Sequence, residues 1–224
     1  MSELEFIQQR ISQGCRIDGR SLLDYRRINV VNSVISLASG SSQVTIGDTT
    51  ILTGVKCETT NEQKVSCCIK GEEDLFLTEL LTKCIEMEKY PNWTFFVDVE
   101  ILSNDGNLSD AIGLSIREAL KCTQVPDIEV IEDQIQISDT SSSLSVRLPW
   151  IVTFNMISSR YVVDCSVKEE ECSDSLFQFV LDEDDALLAM KKDGDSGLDA
   201  SILFDLMNKA KKVKESLQNS INKT

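Results

Sequence analysis

The stretch Gly40-Ser41-Ser42-Gln43-Val44-Thr45-Ile46-Gly47-Asp48-Thr49-Thr50-Ile51-Leu52-Thr53-Gly54-Val55-Lys56 decides the fold. Two runs rich in β-branched and apolar residues, 42–46 and 50–58, meet at Gly47-Asp48, a dipeptide suited to a tight hairpin turn. A third run precedes them. There Ile28, Val30, Val34 and Ile35 alternate imperfectly with polar residues over 27–37 and break at Ser39-Gly40-Ser41. Three strands joined by two glycine-containing turns make an antiparallel meander. Gly40, Gly47 and Gly54 are each able to take the positive φ angles that turns and bulges need.

Upstream of the meander, Leu4, Ile7 and Ile11 fall three and four apart, with Phe6 beside them, and predict a helix over about 3–14. Downstream, Leu77, Leu80, Leu81, Cys84, Ile85 and Met87 recur at near-helical spacing over 75–87, until Pro91-Asn92. The preceding acids Glu72-Glu73-Asp74 suit a helix N-terminus. Residues 93–102 are aromatic and β-branched and read as a buried strand. The clearest helix covers 107–122, where the small residues Ala111, Gly113, Ser115 and Ala119 allow close packing; Pro126 marks its exit. Short strands follow at 128–131, 135–137, 144–148, 151–156, 161–166, 176–181 and 186–191, with the serine-rich 138–145 stretch as a loop. A helix over about 198–222 places Ile202, Leu203, Leu206, Met207, Ala210, Val213 and Leu217 on one stripe, with Asp199 near its start. This order is α+β, and no proline- or glycine-rich linker divides it, so residues 1–224 read as a single domain.

Composition then removes whole classes of chemistry. The 224 residues include no histidine, which excludes an imidazole base, a Ser-His-Asp relay and a His-ligated zinc. No run approaches the length of a membrane span, and the start Met1-Ser2-Glu3-Leu4-Glu5 has no apolar signal core, which points to a protein kept inside the cell. The eight cysteines form no C-x-x-C pair and read as reduced core hydrophobes rather than a metal or redox site. No cofactor or metal is expected. The formal charge of −15 argues against free attraction to polyanions and suits docking onto basic protein surfaces. Between 164 and 199 alone stand twelve acids against three lysines.

Four local patterns carry a more specific reading. They are Arg16-Ile17-Asp18-Gly19-Arg20 followed by Tyr25-Arg26; the meander stretch itself; Asp105-Gly106-Asn107-Leu108-Ser109-Asp110-Ala111-Ile112; and Tyr161-Val162-Val163-Asp164 followed by Glu169-Glu170-Glu171. Read for chemistry alone, Arg16, Asp18 and Arg20 make either a charged knot that pins the N-terminal segment to the sheet or a solvated loop. Asp105-Gly106-Asn107 is either an anion seat at a helix N-terminus or a plain turn capped by Asn107. In this order and register the four patterns resemble the RNase PH-like ring subunits of the RNA exosome core, over residues 14–214.

The resemblance implies an RNase PH-like fold, of the ribosomal protein S5 domain 2-like type, with mixed sheets packed against helices. Active members of that family degrade RNA from its 3′ end with phosphate as nucleophile. Their helix-opening turn continues Gly-Thr-Arg, and the arginine helps to bind phosphate. This chain has Asn107-Leu108-Ser109 there, and no arginine between Arg27 and Arg117. Active members carry two aspartates six residues apart; Asp164 matches the first, and Glu170 stands at the second. The resemblance therefore implies the inert type: a structural subunit supporting 3′-to-5′ RNA processing and degradation, rRNA included, with an active phosphate-dependent 3′–5′ exoribonuclease as the alternative. Its implied partners are active-type RNase PH-like subunits in a hetero-hexameric ring, RNA-binding cap proteins and threaded single-stranded RNA, with no membrane. Its implied location is the nucleus, nucleolus included, and cytoplasm if eukaryotic. The segment between Cys57 and Trp93 is shorter than in the inert type, trimming a loop that lines the RNA path. Lys83 falls near where inert subunits present an arginine to RNA, and is otherwise a solvated surface lysine; the neighbouring arginine position is Glu86. The structural motif residues are Arg16, Asp18, Gly19, Arg20, Asp105, Gly106, Asn107 and Asp164.

Overall fold

A computed structural model of the chain describes residues 2–60, 63–131, 134–194, 197 and 199–221. The meander forms as the sequence predicts: β1 (Ile28–Asn32), β2 (Gly40–Ile46) and β3 (Thr49–Thr59) pair antiparallel in order. Of its three glycines only Gly47 takes positive φ, at 58°. Gly40 is there for close approach instead, since a Cβ would meet Thr123 Oγ1 at 2.3 Å. The first strand is shorter than the 27–37 run, because Ser33 turns left-handed at φ 58° and Val34, Ile35 and Leu37 leave the ladder exposed.

β6 (Trp93–Ser103) lies against β3, and β4 (Lys64–Ile69) runs parallel to β6 on its far side, with the two-residue β5 (Glu72–Glu73) at the edge. The sequence pattern does not predict β4, in which Val65 and Cys67 are buried against β6. Glu72 and Glu73 are thus strand residues. Only Asp74 caps α2 (Leu75–Cys84), its carboxylate accepting the Leu77 amide at 2.8 Å. That helix stops at Cys84, short of Met87, because Ile85 turns extended to bridge Val146; a 3₁₀ turn, Met87–Lys89, follows.

At the centre lies α3 (Leu108–Lys121), with every residue from Asp110 to Leu120 buried. One side packs on β2 and β3, where the Ser115 hydroxyl contacts those of Thr53 at 2.8 Å and Ser42 at 3.2 Å. The other meets the second sheet. There a Cβ on Gly113 would stand 2.7 Å from the Ile151 side chain, so the glycine sets the approach. After α3, β7 (Gln124–Ile131) and β8 (Gln134–Ser143) form a hairpin. The 138–145 stretch is therefore strand through Ser143 rather than loop, since Ser141–Ser143 pair with Gln124–Pro126 and a two-stranded ribbon leaves hydroxyls free to meet water. Residues 144–148 form no strand; their backbone amides reach Thr123 and Cys84 instead.

The second sheet is antiparallel in the order β10 (Arg160–Val163), β9 (Trp150–Ile157), β11 (Ser175–Leu181), β12 (Leu187–Gly194). A short helix, α4 (Val167–Glu170), follows β10 and was not foreseen. The last helix, α5 (Ala200–Ile221), buries Leu206, Ala210, Val213 and Leu217 as the stripe predicts, while Leu198 and Asn222 of the expected span lie outside the described residues. At the other end α1 (Glu3–Ser12) opens on a Ser2/Glu5 capping box. It ends two residues before the expected 14, where Gly14 turns to φ 81°. Its Ile7 and Ile11 pack with Ile157, Val162, Cys165 and Cys172. Among the described residues no helix is long and apolar enough to cross a membrane.

Candidate functional site

Where β10 gives way to α4, Asp164 sits in the left-handed region at φ 47° with no exposed surface. Its carboxylate collects cations from the N-terminal segment. Arg26 grips it through Nε at 2.9 Å and Nη2 at 2.8 Å, and the Arg26 amide donates at 2.7 Å. Arg20 adds Nη1 at 2.8 Å, and the Asn107 side-chain amide donates at 3.0 Å. Burial alone would raise this carboxyl. The hydrogen bonds and charge of Arg26, then the charge of Arg20, outweigh burial and hold it below the ordinary carboxylate range.

The other arginines are equally committed. Arg16, 3% exposed, lies along Glu169 with Nε at 2.9 Å and also donates to the carbonyls of Val163 and Asp164. Arg26 reaches Asp105 at 3.0 Å as well, and the bare Cα of Gly47 leaves room for its stem, since a Cβ there would meet Arg26 Cδ at 2.4 Å. The knot reading of the first motif is thus the one the geometry takes, with one change. The arginines pin the segment to residues 163–169, whereas Asp18 is half-exposed and props Arg20 at 2.6 Å. Gly19, at φ 81°, turns the chain between them.

The turn before α3 resolves differently from either reading. Asn107 is the residue before the helix, left-handed at φ 56°, but its side chain makes no cap and turns to Asp164 instead. The Asn107 backbone amide, which an outside anion would take, donates to the Glu170 carboxylate at 2.7 Å. Burial pushes the Glu170 carboxyl up, only partly offset by that amide and by Arg26. Gly106, at φ 84°, lies so close to α4 that a Cβ would stand 2.4 Å from the Cys165 carbonyl. Thr49 locks the turn from β3, accepting from the Asp105 amide at 2.9 Å and donating to the Gly106 carbonyl at 2.7 Å.

Two further features escaped the sequence reading. Asp110, in the first turn of α3 and 2% exposed, accepts from the Tyr25 hydroxyl and from the Thr153 amide of β9. Burial raises its carboxyl to about 6 in spite of those bonds. Ser109, the position of the active pattern's arginine, borders a recess of about 100 Å³ that also holds Asp74, Phe76, Gln178 and Lys191. Lys83 lies apart from the Asp164 cluster, exposed in the last turn of α2. Arg147 comes to it from 64 residues away, donating to the Lys83 carbonyl at 3.0 Å, and both border a groove of about 570 Å³. Glu86 there is held by Lys89 and by Ser145 at 2.6 Å. The cysteines are free; Cys67, Cys84, Cys165 and Cys172 are buried, and burial pushes Cys67 up to about 12 and Cys84 to about 11, away from thiolate chemistry.

Two sheets about a central helix, with a carboxylate pinned by arginines at the helix-opening turn, define an α+β chain of the RNase PH-like class. Residues 24–75 and 70–126 match the model of the 3′ exoribonuclease family, domain 1, and residues 147–213 match its domain 2. The chain belongs to the 3′ exoribonuclease family. It is 32% identical over 223 residues to the exosome complex component Rrp42 of Thermococcus gammatolerans, covering 84% of this chain and 81% of that protein. Against the Rrp42 component of Archaeoglobus fulgidus it is 29% identical over 254 residues, covering 96% and 95%. Among solved structures it superposes with a TM-score of 0.78 on a chain of the Archaeoglobus fulgidus exosome with RNA bound to the active site, at 27% identity and covering 96% of this chain and 97% of that one. The resemblance carried by the four motifs is borne out in family and fold.

The titration of Asp110 gives a test of this geometry. Its carboxyl moves from 3.8 to about 6 on folding, so the native state binds the extra proton in that interval and this group's contribution to stability falls as pH rises through it. Asp110→Asn removes that contribution. In urea unfolding across the interval, the stability of Asp110→Asn relative to wild type is expected to rise with pH; a constant difference would refute the assignment. Glu170 titrates in both proteins and cancels.

Proposed function

We propose that the chain is a non-catalytic ring subunit of an RNA exosome. Its part in 3′-to-5′ RNA degradation is to hold the ring and its RNA path rather than to cleave. In this reading it alternates with active-type RNase PH-like subunits in a hetero-hexameric ring, carries RNA-binding cap proteins on one face, and lies with that complex in the nucleus and cytoplasm if eukaryotic. The length of the match to proteins named exosome component Rrp42 supports the complex. The non-catalytic half rests on one observation: the backbone amide that opens α3 is taken by the chain's own Glu170 carboxylate. Phosphorolysis needs free cations around an attacking phosphate. Here Arg16, Arg20 and Arg26 are each paired with a carboxylate, and Ser109 supplies none.

Incubated with a short polyadenylate and phosphate, the isolated chain is expected to release no nucleoside diphosphate. The Ser109→Arg variant should also release none, because one cation does not assemble a site and Asp74 shares the recess the new side chain would enter. Release by wild type would establish the alternative, an active phosphorolytic enzyme.

Lys83 and Arg147 are the cations this reading places on RNA. The isolated chain should bind single-stranded RNA only near the nonspecific limit, on the order of 10⁻⁴ M at physiological salt. In the assembled ring, Lys83→Glu and Arg147→Glu should each weaken RNA binding and lower the log–log salt slope by about 1. Unchanged slopes would return both residues to the solvated surface.

We also propose that residues 1–224 fold as one unit, although two family models divide them. One hydrophobic cluster takes in Val44, Ile51 and Phe95 of the first sheet with Ile151, Phe154 and Phe179 of the second. A single cooperative transition by both circular dichroism and fluorescence is expected in urea; two separated midpoints would show two units.

A further inference from the structure

Two buried polar atoms on facing elements are without a protein partner: Oδ1 of Asp110 on α3 and Nε1 of Trp150 at the start of β9. Their residues are 2% and 3% exposed, so bulk water does not serve them. Buried polar groups in native proteins are as a rule hydrogen-bonded, and two left over at one place call for a shared partner. Both residues line the same small cavity, with Tyr25, Leu114, Ile151 and Leu217 among its other walls.

The chemistry of the pair is complementary. The indole nitrogen only donates, and the carboxylate oxygen only accepts when ionised. The cavity volume is about 10 Å³, at the lower limit of the space that holds one water molecule and no more. Aliphatic walls on the remaining sides exclude anything larger or charged. The Tyr25 hydroxyl gives its proton to Asp110 Oδ2 and keeps lone pairs free to accept.

We infer that a single structural water binds in this cavity, accepting from Trp150 Nε1 and donating to Asp110 Oδ1 and to the Tyr25 oxygen. Three such bonds are the usual complement of a buried water. The bound water completes a pin between the halves of the molecule. Asp110 already holds Tyr25 from the N-terminal segment and the Thr153 amide at 3.2 Å from β9; the water adds Trp150 at the mouth of the same strand. Arg117, whose guanidinium carbon lies 4.1 Å from the centre of the Trp150 ring, fixes the indole plane from the side. This inference is independent of catalysis and of the ring.

The test uses the full chain labelled with ¹⁵N-tryptophan, its two indole signals assigned through the backbone. Water-selective cross-relaxation should give the Trp150 indole proton a peak with the sign of a long-lived bound water. Absence of that peak overturns the inference outright. Trp150→Phe keeps a ring beneath Arg117 and removes the donor. It should lower the Tm by roughly 2–4 °C for each lost bond of ordinary strength in a chain of this size. An unchanged Tm beside a wild-type water peak would show a bystander water rather than a pin, and would overturn the structural role. If the variant does not fold, the wild-type measurement still decides.

Discussion

Everything in this molecule depends on one buried negative charge, the carboxylate of Asp164. It lies at the junction of β10 and α4, and by itself it would be an expense of several kcal/mol in a site with no exposed surface. Arg26, Arg20 and Asn107 offset that penalty from three directions. Their positions in turn fix the N-terminal segment, the turn before α3 and the second sheet against one another. Removing Arg26 would leave the charge to Arg20 and Asn107 alone, a partial break of a buried ion pair whose full loss costs about 3–5 kcal/mol. The surrounding glycines follow from the same requirement. Gly47 admits the Arg26 stem and Gly106 admits the α4 backbone, each by the absence of a Cβ.

The layered fold was legible in the sequence because its signals are local. Gly47-Asp48 between two β runs has one simple solution, and the stripes of α1, α3 and α5 each follow helical period. What was lost were elements defined by partners rather than by pattern. The strand β4 exists because β6 offers it a parallel edge, and the serines of β8 are strand because β7 is there to pair with them. Residues 33–37 fail in the opposite sense: their apolar character suggested a strand, but Ser33 turns left-handed and no ladder continues.

The site divides along the same line. Arg16, Asp18 and Arg20 could be read as a knot because they are close in sequence, and Asp105-Gly106-Asn107 could be read as a turn for the same reason. Their partners could not be read. Glu169 stands 153 residues from Arg16, and Glu170 stands 63 residues from Asn107. The long-range pairing therefore made the Asp-Gly-Asn-Leu-x-Asp-Ala string intelligible only in three dimensions. Asn107 serves Asp164, and Asp110 serves Tyr25 and Thr153.

A net charge of −15 in a chain assigned to an RNA-degrading family would be puzzling if the cations it does have were spent on RNA. Five of the 22 are spent internally. Arg16, Arg20 and Arg26 neutralise carboxylates around Asp164; Arg117 stacks on Trp150 and pairs with Glu183; and Lys214, 3% exposed, binds the carbonyls of Asp182 and Glu183 and the Asp185 carboxylate. A guanidinium engaged by a buried carboxylate offers a phosphate a weaker field and fewer free N–H groups. At the head of α3 the Asn107 backbone amide likewise turns inward, to the Glu170 carboxylate. These pairings join the N-terminal segment, the turn before α3 and the second sheet, while the chain as a whole keeps its acidic surplus.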